Sequence, residues 1–406
     1  MLIMGELLIL LSAGSAFSQE SSVTREEVDA LKMNLERLEK TIEDQNARVS
    51  ESQAERHWYD RIDMGFTAGG VIQGSSGADD DGADATGRYE LELQHNILPN
   101  GVLYFHLEAG NGDGIDDRIP TLSSFNGDAF GDDDHVDITE AWYLHRFQGL
   151  NAVLQIGKIG LGGPGDYSSE DAIAFDGSEY ANNERNQFLS GGFVNNLALE
   201  LPDNGLTAAM LISPDEWVDI SLAVADADAE WDDIFDNVFS IMEINFMPEI
   251  AAYLGNYRIY GWFNGSDHED LKDSTKTQED NYGFGLSFDQ EITESLGIFA
   301  RYGWQRASVS QVEHAWNAGL QYSGKFYGRE DDTFGLAYGM AVICDDWKDA
   351  NSDINAGDEH HVELYYNLKA NEHLNISPNI QWMKNPNGDR DNDDVWAFGI
   401  RAQLFF

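Results

Sequence analysis

From about residue 60 onward the chain alternates, position by position, between apolar residues and small or polar ones, in runs of strand length. The last run is the plainest. Phe398, Ile400, Ala402, Leu404 and Phe406 fall on one face of a strand, and Ala397, Gly399, Arg401 and Gln403 on the other. Tyr282, Phe284, Leu286 and Phe288 stand in the same way against Asn281, Gly283, Gly285 and Ser287, as do Leu374, Ile376, Ile380 and Trp382 against Asn375, Ser377, Asn379 and Gln381. In a soluble sandwich such an apolar edge would invite aggregation. Closing the sheet into a membrane barrel removes the edge and gives each face its own solvent, lipid outside and water within.

The connections support this. Short turns such as Leu98-Pro99-Asn100-Gly101, Gln148-Gly149-Leu150, Ser213-Pro214-Asp215-Glu216 and Glu291-Ile292-Thr293-Glu294 alternate with long loops rich in Asp, Gly, Ser and Asn. That is the unequal looping of an outer-membrane barrel. About seventeen strand-like runs can be counted, but an even number is required when both ends of the barrel chain lie on one side. Assigning Phe193 to Leu201 to a loop leaves about sixteen and brings every later long loop to the same side. The predicted fold is therefore an all-β transmembrane barrel of about 16 antiparallel strands over residues 59–406, preceded by an N-terminal α-helical coiled coil.

Ahead of the barrel, the apolar run Leu7 to Leu11 and the small residues of Ala16-Phe17-Ser18 predict a signal peptide over 1–18. Residues 19–58 change to heptads, with Val28, Leu31, Leu35, Leu38, Ile42 and Val49 along one seam and Gln45 among them. A lone helix does not bury such a seam, so a periplasmic stalk and oligomerisation are expected, with the cell wall a candidate contact of the stalk. Composition adds one constraint: Lys+Arg 24 against Asp+Glu 73 gives a net charge of −49, which excludes a nucleic-acid partner and favours cations. The single Cys344 reads as packing.

Several ordered segments carry a family resemblance. They are Gly157-Lys158, Phe188-Leu189-Ser190-Gly191-Gly192-Phe193-Val194-Asn195-Asn196-Leu197-Ala198-Leu199-Glu200, Ala223-Val224-Ala225-Asp226-Ala227, Gly255-Asn256-Tyr257-Arg258, Pro378-Asn379-Ile380-Gln381 and Asn385-Pro386. Together they resemble the carbohydrate-selective porin family, OprB, over roughly residues 60–406. The resemblance implies a sixteen-stranded outer-membrane porin passing small hydrophilic solutes, sugars among them, by diffusion.

The candidate site follows from parity and loop length. The loop from Gly160 to Gly192 is the longest, so it is expected to fold inward, bringing Asp166, Glu170 and Arg185 to a constriction with Lys158 at its start. Alternation places Glu90, Glu92, His106, Glu108, Arg146, Arg258, Trp262, Arg301 and Arg401 on the inner face, where arginines facing acids set up a transverse field. Wall-stiffening ion pairs are the alternative role for each arginine. The Asp-rich loops offer oxygen ligands for Ca²⁺ through Asp113, Asp116, Asp117, Asp132, Asp133 and Asp134, or are simply solvated surface. No Gly-x-Ser-x-Gly elbow occurs, and His360-His361 between Glu359 and Glu363 lacks a nucleophile, so an enzyme is not expected. The expectation is a homotrimeric porin in the outer-membrane lipid; the alternative is a structural tether linking membrane to wall.

Overall fold

The computed structural model describes residues 40, 62–131, 135–162, 172–183, 185–231 and 236–406. The chain divides at Arg61, and the unit Ile62–Phe406 carries every strand among the described residues. The signal peptide and the coiled coil lie outside the described residues, apart from Lys40, which is helical and exposed.

Sixteen strands cross the sheet among the described residues. They are β1 Ile62–Ser76, β2 Ala83–Leu98, β3 Gly101–Asn111, β4 Val136–Phe147, β5 Ala152–Ile159, β6 Gly205–Asp215, β7 Val218–Asp226 and β8 Val238–Phe246. After these come β9 Tyr253–His268, β10 Glu279–Thr293, β11 Leu296–Gln305, β12 Val312–Gly324, β13 Arg329–Ile343, β14 Glu359–Asn371, β15 Leu374–Lys384 and β16 Val395–Phe405. A further two-residue pairing, Glu249–Ile250, is the lip of a turn against Tyr253 and Leu254 rather than a crossing. Each strand pairs antiparallel with its sequence neighbours, and β1 pairs with both β2 and β16, from Thr67 opposite Phe405 to Ser76 opposite Trp396. Among the described residues the sheet is closed and has no free edge.

The two faces separate as alternation predicts. In β16, Phe398 is 51% and Ile400 57% exposed, whereas Ala397 is 0%, Arg401 2% and Gln403 1% exposed. The outer face carries aromatics in cross-strand contact: Trp316 against Tyr338 at 5.3 Å, Phe284 against Trp304 at 5.7 Å and Trp382 against Trp396 at 6.5 Å between ring centroids. Amphipathic rings of this kind suit a membrane interface.

The inner face departs from the wet lumen expected from sequence. Tyr104, Trp142, Leu144, Phe239, Ile241, Tyr260 and Trp262 point inward and are buried. The reason lies in the connections. All turns at the end carrying Ile62 and Phe406 are short, and the described residues of two long loops at the other end, 112–135 and 160–204, fold back into the barrel and cover much of its wall. The stretch Phe193 to Leu201 belongs to the second of these, where Gly191–Val194 forms a single helical turn. Cys344 is buried just beyond β13, its thiol 3.1 Å from the Ser310 carbonyl.

Candidate functional site

The 160–204 loop docks on inward-facing side chains from most of the barrel. Gln155 of β5 accepts from the Ile173 amide at 2.9 Å, and Glu243 of β8 from the Asp176 amide at 3.0 Å. Asp289 of β10 accepts from the Ser178 hydroxyl at 2.5 Å and from the Arg258 guanidinium at 2.7 Å. Asn317 of β12 donates to the Gly192 carbonyl at 2.9 Å. Glu363 of β14 accepts from two successive amides, Leu189 at 2.6 Å and Ser190 at 3.0 Å. Arg401 of β16 donates to the Gln187 carbonyl at 2.8 Å. A loop without regular structure leaves its own amides and carbonyls unmatched, and burial is possible only because the wall supplies partners.

Arg301 is the centre of this arrangement. Its side chain is fully buried and donates to the Phe193 carbonyl at 2.6 Å, the Asp176 carbonyl at 3.0 Å and the Asn182 amide oxygen at 2.5 Å, with Nε 3.5 Å from the Asp176 carboxylate. A planar guanidinium reaches several acceptors at fixed angles, which suits it to holding an irregular backbone. Burial pushes the Asp176 carboxyl up, with the Arg301 charge and the Asn196 amide drawing it back less strongly.

The 112–135 loop is tied to the same structure. Asp116 accepts from the Phe125 and Asn126 amides at 2.7 and 2.8 Å, folding the loop on itself, and burial raises its carboxyl above the usual range. Glu359 of β14 holds the Leu122 and Ser123 amides, each at 2.9 Å. The two loops then meet: Gly127 donates to Leu189 O at 2.7 Å, Gly192 to Ser123 O at 2.9 Å, and the Ser123 and Ser190 hydroxyls both face His361 Nδ1, at 3.0 and 3.2 Å.

A charged cluster sits where the loops meet β2 and β3. Arg88 reaches Glu90 at 2.9 Å, Glu108 at 2.5 Å and Asp128 of the first loop at 3.1 Å. Arg185 of the second loop meets Glu90 at 2.6 Å. His106 lies 3.7 Å from Glu108. Glu92 stands opposite His106 on the same inward face.

The sequence-predicted residues therefore divide. Glu90, His106, Glu108 and Arg185 come together, with Glu92 beside them. Arg258, Arg301 and Arg401 point inward as alternation requires, but they lie against the loop rather than facing open water. Arg146 shares the inward face of Trp142 and Leu144 near a short turn, away from the cluster. Trp262 is buried against Phe239, ring centroids 6.4 Å apart. Lys158 requires a correction: Gly157, opposite Trp142, takes the inward position, so Lys158, opposite Ala141 and Leu206, turns to the outer face. Asp113, Asp116 and Asp117 share one turn, Asp116 engaged with backbone amides. Asp132, Asp133, Asp134, Asp166 and Glu170 lie outside the described residues. Arg88 was not singled out from sequence, although the signal was present, since it precedes Glu90 by two residues on one strand face; Asp128 was legible only as one more oxygen ligand in an Asp-rich loop, not as a partner of Arg88.

Comparison with known proteins agrees with this architecture. The chain matches the family model of the carbohydrate-selective porin, OprB family, over residues 76–406. It is 22% identical to the putative porin QuiX of Acinetobacter baylyi over 193 residues, 41% of this chain and 44% of that protein. To porin B of Pseudomonas aeruginosa it is 23% identical over 202 residues, again 41% and 44%. The chain thus spans less than half the length of these curated relatives. In fold it superposes on the high-pH structure of Pseudomonas putida OprB with a TM-score of 0.74 at 17% identity, covering 85% of this chain and 94% of that one. With the family model matched from residue 76 to residue 406, the chain belongs to the carbohydrate-selective porin, OprB family.

Proposed function

We propose that the protein is an outer-membrane porin through which small hydrophilic solutes, carbohydrates and cations, diffuse passively. The observation that carries this reading is a closed, apolar-faced sixteen-strand barrel whose longest loop is fastened across its own interior. A barrel that served only as an anchor has no need of a lumen narrowed by a precisely bonded segment. The cluster of Arg88, Arg185, Glu90, Glu108 and Asp128 supplies opposed charges beside that segment, which discriminate solutes by charge and dipole. The net charge of −49 favours cations and neutral solutes over anions at the mouth.

The test is single-channel recording of the purified protein in a planar bilayer, first under a salt gradient and then with added sugars. Discrete openings with a cation-selective reversal potential support the reading, and current block by sugar assigns carbohydrates to the solutes. Openings in groups of three support a homotrimer. A protein that migrates as a compact, heat-modifiable barrel on gels yet never conducts would remove the channel reading.

A further inference from the structure

We propose that Glu90, His106 and Glu108 form a binding site for one divalent transition-metal ion of the zinc class on the inner wall of the barrel. Three observations converge on it. The first is position. In the β2–β3 register Glu90 stands directly opposite Glu108, and His106 follows two residues from Glu108 on the same inward face. Like charges placed directly across a strand pair repel, and Arg88, 2.9 Å from Glu90 and 2.5 Å from Glu108, offsets part of that repulsion. Ligand-capable atoms of the three residues lie within 4.8 Å of one another, so a modest closing of side chains brings them round one ion.

The second observation is unmet bonding. All three residues are buried, yet Glu90 Oε2 and His106 Nε2 lack a partner, while Glu90 Oε1 is held by two guanidiniums. Arg88 and Arg185 both approach Oε1, at 2.9 and 2.6 Å, so Oε2 is the carboxylate oxygen left for a further partner. Buried polar atoms of this kind call for a partner. The Thr139 hydroxyl, 2.9 Å from His106 Nδ1 and 3.5 Å from the His106 carbonyl, accepts a hydrogen bond from the Nδ1–H when it donates its own to that carbonyl. That arrangement leaves Nε2 as a bare lone pair held in place by an outer partner, which is how ligating imidazoles are usually oriented.

The third is chemistry. One imidazole with two carboxylates suits zinc and its neighbours, whereas calcium and magnesium prefer oxygen alone. Around the site, Glu90, Glu108 and Asp128 outnumber Arg88 and Arg185, so a dication meets residual negative charge. The inference does not depend on whether the barrel conducts.

The experiment is calorimetric titration of the full chain in detergent micelles with Zn²⁺, in a background of excess Ca²⁺ and Mg²⁺ to saturate the acidic loops. One saturable Zn²⁺ per chain is expected, weakened by at least about tenfold in His106→Ala and in Glu108→Gln and unchanged in His373→Ala at the opposite, exposed turn. Cu²⁺ substituted for Zn²⁺ should show a single imidazole nitrogen by electron paramagnetic resonance in the native chain. Absence of saturable Zn²⁺ binding, or equal binding in native protein and His106→Ala, overturns the proposal. Should His106→Ala lose its heat-modifiable barrel, the copper spectrum of the native chain decides, and a signal without nitrogen coupling counts against the site.

Discussion

The 160–204 loop meets two unlike walls. On strands β3 to β9 it packs by shape, with Leu161, Ile173, Phe175 and Leu199 set among Tyr104, Trp142, Ala209, Ala223, Phe239, Ile241 and Trp262. Strands β10 to β16 also pack Phe188 and Phe193 against Phe299, Ala337 and Tyr365, but they carry most of the directional bonds: Asp289, Arg301, Asn317, Glu363 and Arg401 each bond a particular loop amide, hydroxyl or carbonyl, against Gln155 and Glu243 alone among the bonds named for the first wall. Apolar burial is strong but non-directional, so it brings the loop inside without fixing its path. Charged side chains bonded to backbone fix the path, and they are costly to leave half paired. Both walls contribute burial to docking, and the second supplies most of its geometry.

The largest effect is expected on the directional wall. Arg301→Met leaves the Phe193, Asp176 and Asn182 oxygens without their donor and the Asp176 carboxylate without its counterion. Removing one partner of a buried pair costs roughly 3–5 kcal/mol. Stability should fall by that order in urea unfolding from micelles, and channel conductance should rise as the loop leaves its path. Unchanged conductance in a folded Arg301→Met barrel would mean that packing alone sets the loop's position.

Phe175→Ala sharpens the contrast from the other side. Phe175 is fully buried in the apolar cluster, and truncation there costs about 3 kcal/mol through lost burial and a cavity. Because the polar anchors remain, conductance should change much less than in Arg301→Met for a comparable loss of stability.

How far this division was legible in sequence can be judged from the same residues. Alternation placed the barrel, both faces of β10, β15 and β16, and the inward direction of Arg258, Arg301 and Arg401, because a strand has a period of two and nothing else competes with it. The requirement for an even strand number placed Phe193 to Leu201 in a loop despite its strand-like composition. Period says nothing about what lies opposite an inward side chain. Gly297 and Gly335, which period alone marks only as inward, are seats: a Cβ on Gly297 would stand 2.0 Å from the Tyr180 ring, and one on Gly335 2.1 Å from Tyr365. Glu363 looked like part of a histidine cluster because its loop partners, Leu189 and Ser190, are some 170 residues away in sequence. Contacts of that separation leave no mark on local pattern.

A smaller effect is expected at Glu363. Glu363→Gln keeps one acceptor oxygen for the Leu189 or Ser190 amide but removes the charge, turning charge-assisted bonds into neutral ones. The loss should be about 1–2 kcal/mol, measured by the same unfolding assay. A loss as large as that in Arg301→Met would place the loop's main anchor on β14 rather than β11.

The smallest effect separates the two contributions within one residue. Asp176 lies in the loop where the walls meet: its carboxylate faces Arg301, the Asn196 amide and the Tyr260 hydroxyl, its own amide bonds Glu243, and Arg258 adds charge nearby. Burial raises its carboxyl above the ordinary value, and these donors offset only part of that. A folded state that holds a proton more tightly than the unfolded state is favoured while the group is protonated in both. The contribution of Asp176 is therefore fully present below the ordinary aspartate range and is lost as pH rises through the folded value. Asp176→Asn cannot titrate, so the stability of the native protein minus that of the variant should decline from acidic to neutral pH. In an Arg301→Met background, where the largest opposing charge is gone and only Asn196, Tyr260 and Arg258 offset the burial, the same difference should decline more steeply. A difference that instead grows with pH would show that Arg301 outweighs burial at this residue, and that the directional wall governs even where the loop is driest.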